Sequence, residues 1–110
     1  MFSSRRNRGF FIDFDNGLVL STQFGERNYC QNYDNHKSVL YCNNCDNPLY
    51  SVSSKDVEIA IFIEDDKGGV KKWMTQKILG DLGDDVKGYV GLAEWLEILE
   101  KVKNWKPENE

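Results

Sequence analysis

The chain of 110 residues reads as an α+β protein, a small antiparallel sheet built from two hairpins and covered by a C-terminal amphipathic helix. Three observations predict this. Asn16-Gly17 stands between two short apolar runs; Val57–Ile63 is a β-branched run followed by a charged turn; and a stripe of large apolar residues recurs at helical spacing from Leu92 to Trp105. A sheet with one apolar face needs a second layer to bury it, and the helix supplies that layer.

Each element follows in order. Residues 1–8 are polar and basic and are expected to fray. Gly9–Phe14 and Leu18–Phe24 form the first hairpin around Asp15-Asn16-Gly17, because Asn-Gly between alternating runs is a strong hairpin signal. A two-residue loop would mix Asp13 and Asp15 with leucines on one face. A three-residue loop with Gly17 left-handed instead sets Phe14 opposite Leu18, Ile12 opposite Leu20 and Phe10 opposite Thr22, which makes one face apolar. The second register is the expectation. Residues 25–56 are an irregular insertion rich in Asn and Cys, a composition that favours turns over ladders. Val57–Ile63 reads as a central strand, Glu64–Gly69 as a turn and Val70–Met74 as the returning strand. A short helical turn at 76–79 and a strand at 86–90 precede the helix. Its buried stripe is expected at Leu92, Trp95, Leu96, Leu99, Val102 and Trp105, with Glu94, Glu97, Glu100, Lys101 and Lys103 opposite. Residues 106–110 are an acidic tail, and the whole reads as a single domain.

Composition excludes several classes. Fourteen Lys+Arg against eighteen Asp+Glu give a net charge of -4, which argues against a nucleic-acid binder with a basic face. The sequence shows neither a membrane-length apolar run nor a secretory leader, so the expected compartment is the cytoplasm. Three cysteines without a leader argue for thiols or a metal rather than a disulfide framework.

Two constellations stand out. Cys30, His36, Cys42 and Cys45 form C-x5-H-x5-C-x2-C, and the C-x2-C knuckle offers two thiolates of the kind zinc takes. A zinc ribbon carries two such pairs and this chain has one, so zinc stays an open reading beside plain thiols. Arg27, Asn28, Tyr29 and Tyr33 gather aromatic, cationic and amide groups in the irregular segment. The sheet and the helix do not need them, and they have the makings of a contact surface. The carboxylates at Asp13/Asp15, Glu64–Asp66 and Asp81–Asp85 sit beside Gly or Asn, where solvated turns explain them better than acid–base pairs. No nucleotide-cradle or hydrolase motif is present, so no enzyme is expected.

The run Phe14-Asp15-Asn16-Gly17 to Ser21-Thr22-Gln23-Phe24-Gly25, then Asn28-Tyr29-Cys30, resembles small proteins encoded by bacteriophages. The likeness continues through Val57–Phe62, the Asp/Gly turn, Val86-Lys87-Gly88-Tyr89 and the Glu/Leu-rich helix, covering most of residues 10–103. It implies a phage accessory protein working in the cytoplasm of the infected bacterium. By analogy with such proteins, it implies an inhibitor of antiviral defence that sequesters a cyclic nucleotide signal or binds a host defence protein. A zinc-stabilised module contacting protein or nucleic acid is the alternative, and self-association is a further partner reading.

Overall fold

Gly17 sets the register of the first hairpin. Its N–H donates to the Phe14 carbonyl at 3.0 Å while the Phe14 N–H donates to Leu18 O at 2.9 Å, and its φ of +90° is the left-handed conformation that glycine adopts at little cost. The strands on either side, β2 (Gly9–Asp13) and β3 (Leu18–Gln23), pair antiparallel with Ile12 opposite Leu20 and Phe10 opposite Thr22. The three-residue loop is the one present.

The structure, a computed structural model, describes residues 2–5, 9–25, 29–31 and 51–106. β3 pairs antiparallel with β5 (Asp56–Glu64), Leu20 facing Ile61. The other edge of β5 is divided. Its C-terminal half pairs with β6 (Val70–Trp73), completing the second hairpin, and its N-terminal half pairs with β7 (Val86–Gly91). Between them the chain leaves the sheet through α1 (Thr75–Leu79), so the N–H of Ile61 meets no strand. Thr75 fills the gap. Its hydroxyl accepts from Ile61 N–H at 2.9 Å and donates to the Asp85 carbonyl at 2.6 Å, which satisfies a buried donor that would otherwise be costly.

The core lies on the face of the sheet that meets α2 (Leu92–Asn104). Leu18, Leu20, Phe24, Val57, Ile59, Ile61, Met74 and Val90 pack there with Ile98 and Val102 of the helix. The helix departs from the expected stripe. Ile98 is buried, whereas Leu92 and Leu96 are 44% and 51% exposed. At 100° per residue Trp95, Ile98, Val102 and Trp105 share one arc, and Leu96 lies about 140° from its centre. The apolar surface of α2 is wider than the sheet it covers.

Two further strands stand where the sequence predicts none. β1 (Phe2–Arg5), within the stretch expected to fray, pairs antiparallel with β4 (Ser51–Ser54), within the stretch expected to be irregular.

Candidate contact surface at the β7 bulge

Cys30 organises this surface from below. It is 1% exposed and belongs to the core, its thiol directed at Gly25 O at 3.7 Å. Its neighbours Tyr29 and Gln31 are both exposed. Backbone bonds hold them. Tyr29 N–H donates to Glu58 Oε2 at 3.0 Å, Gln31 N–H to Asp56 Oδ1 at 2.6 Å, and Lys55 N–H to Gln31 Oε1 at 2.9 Å. Glu58 and Asp56 therefore clamp the incoming chain onto β5.

On its other side the segment meets an irregularity in β7. Val57 faces Val90 and Ile59 faces Lys87, so Glu58 stands against two residues, Gly88 and Tyr89, as at a β-bulge. Tyr89 has φ +54°, an uncommon conformation for an aromatic residue, and its N–H donates to Tyr29 O at 2.7 Å. Gly88 permits the approach: a Cβ there would lie 2.4 Å from Tyr29 Cβ. The outcome is two tyrosines, 44% and 59% exposed, on backbones bonded to each other.

Of the sequence-predicted contact residues, Tyr29 sits at the centre of this arrangement; Arg27, Asn28 and Tyr33 lie outside the described residues. Of the predicted zinc ligands, Cys30 is in the core and His36, Cys42 and Cys45 lie outside the described residues. Among the described residues no group of three or more His, Cys, Asp or Glu is placed to hold a metal ion. Turn carboxylates accept backbone N–H groups: Asp65 Oδ1 from Lys67 and Gly69, Asp81 Oδ1 from Gly83.

Sequence reasoning missed Tyr89 as a surface residue. The signal was present, since glycine inside a strand pattern often marks a bulge or a close backbone approach. It also missed an aromatic row on the sheet face away from α2. There Phe11, Phe62 and Trp73 meet edge to face, with centroids 6.4 and 5.8 Å apart. Phe11 alternates with the inward Phe10 and Ile12, so its outward position follows from strand period.

No protein-family model, curated protein or solved structure matches the chain. Fold and site together define a class, a small α+β protein that presents exposed aromatic side chains on a hydrogen-bonded backbone. No described helix is long and apolar enough to cross a membrane.

Proposed function

We propose that the protein is a non-enzymatic binding protein of bacteriophage origin. It inhibits a bacterial antiviral defence in the host cytoplasm by sequestering the nucleotide signal or binding the effector protein. The phage assignment rests on the sequence resemblance. The observation that supports binding is the pair Tyr29 and Tyr89, exposed side chains on backbones joined by the 2.7 Å hydrogen bond. A ring whose backbone is already fixed loses little freedom on binding, and tyrosine offers an apolar body with a polar tip.

The test compares plaque formation on bacteria carrying defence systems, with the wild type and with Tyr29→Ala and Tyr89→Gly expressed. Glycine at 89 keeps the left-handed backbone and removes only the ring, so Tyr89→Gly should melt no earlier than wild type. Each variant should weaken inhibition about 30-fold, the consequence of losing an anchor of ~2 kcal/mol. Any nucleotide carried by the protein should be recovered intact after heat release. Wild-type protein that rescues no phage, or returns a cleaved nucleotide, overturns the reading; variants that inhibit normally move the surface elsewhere.

A further inference from the structure

β2 is an outer strand of the five-stranded sheet. β3 lies on one side, and among the described residues nothing pairs with the other. The phase of the ladder tells which groups this leaves outward. Phe14 N–H bonds to Leu18 O, and hydrogen-bonded pairs alternate with non-bonded ones along an antiparallel ladder. Ile12 and Phe10 therefore turn their backbone groups to β3, whereas Gly9, Phe11 and Asp13 turn theirs to the open edge. Phe11 is 62% exposed, more than any other large apolar side chain described.

The outer strand β6, on the far side of the sheet, is built differently from β2. β6 is exposed at all four positions and carries Lys71 and Lys72, charges of the kind that keep edges from pairing. β2, Gly-Phe-Phe-Ile-Asp, has neither lysine nor proline, and its one charge stands at its last position.

We infer that β2 pairs antiparallel with β2 of a second copy of this chain, about a two-fold axis at Phe11. That register sets Phe11 against Phe11, Phe10 against Ile12 and Asp13 against Gly9. No like charges meet, because Asp13 faces a residue without a side chain. The ends are complementary as well: the chain enters β2 from Arg5-Arg6-Asn7-Arg8 and leaves it at Asp13 and Asp15. In sequence order the basic residues precede β2 and the acidic ones follow it, so two antiparallel copies run opposite charge orders side by side. Such a contact is isologous and closes at two subunits, and the backbone of β2 supplies paired hydrogen bonds in the manner of strand addition.

Analytical ultracentrifugation of the full chain over a wide concentration series tests this. The wild type should sediment at twice the chain mass at high concentration. Phe11→Lys, which sets two ammonium groups face to face on the axis, should sediment as a monomer, and Leu96→Lys on the exposed side of α2 should still dimerise. Amide exchange on the wild type reads the same contact without a variant: the Phe11 N–H should be protected in the dimer and become exchangeable on dilution. A chain that stays monomeric throughout the series overturns the inference and leaves the edge to a strand from another protein. A dimer that survives Phe11→Lys, dissolves with Leu96→Lys, or leaves the Phe11 N–H unprotected overturns it too.

Discussion

Thr75 carries more structural consequence than its size implies. It is fully buried, and its one oxygen joins the two halves of a divided sheet edge, accepting from Ile61 and donating to Asp85. Valine has the same shape without the hydroxyl, so Thr75→Val would strand the buried Ile61 N–H. An unsatisfied buried backbone group costs about 1–3 kcal/mol, and the denaturant midpoint should fall by an amount of that order. Thr75→Ser keeps the hydroxyl and loses a methyl, costing about 1 kcal/mol. Equal losses in the two variants would show that packing, not the hydrogen bond, holds the junction. Nothing in the sequence marks this threonine, since its role exists only once β6 and β7 lie along the same side of β5.

At the scale of elements, periodicity made the strands and the helix legible, and chain connectivity hid how they share partners. Strand alternation in Phe10–Phe14 and Leu18–Thr22 and the left-handed glycine were sufficient to define the first hairpin and its register. The period of α2 located the helix but not its burial, because Leu92 and Leu96 continue the apolar arc past the sheet. The stripe expected from the sequence ran through Leu92 and Leu96 and passed over Ile98, which joins Val102 in the core. Ile98→Ala should therefore destabilise by about 2–4 kcal/mol, the usual cost of truncating a buried isoleucine. Leu96→Lys should change stability by no more than about 0.5 kcal/mol, as surface substitutions do. Chemical denaturation of both variants checks the orientation of the helix. A large loss in Leu96→Lys would mean that α2 is rotated towards that side in solution.

The whole molecule is closed by contacts that join the beginning of the chain to its end, and these were the least legible of all. Tyr29 could be named from its composition and setting, but its partner Tyr89 stands 60 positions further on, brought to it by a bulge. Likewise Asn16 reads in sequence as a turn residue, and it is one: its Oδ1 accepts from Leu18 N–H at 3.1 Å. Its amide does a second task, donating to the carbonyls of Val102 at 2.7 Å and Trp105 at 2.9 Å. Those carbonyls belong to the last turn of α2 and its cap; Val102 O also accepts from Trp105 N–H, at 3.3 Å. The tip of the first hairpin thus caps the last helix, and Trp95 Nε1–H donates to Thr22 Oγ1 at 2.9 Å along the same seam. Asn16→Ala removes three hydrogen bonds and should cost about 1–2 kcal/mol. Asn16→Asp keeps the acceptor for Leu18 but sets a carboxylate against two carbonyls at the negative end of the helix dipole, so it should cost more than alanine. Because the seam joins both ends, tryptophan fluorescence and far-ultraviolet circular dichroism should report one coincident transition in each variant. An aspartate variant as stable as the alanine one, or two separated transitions, would mean that hairpin and helix are not joined through Asn16.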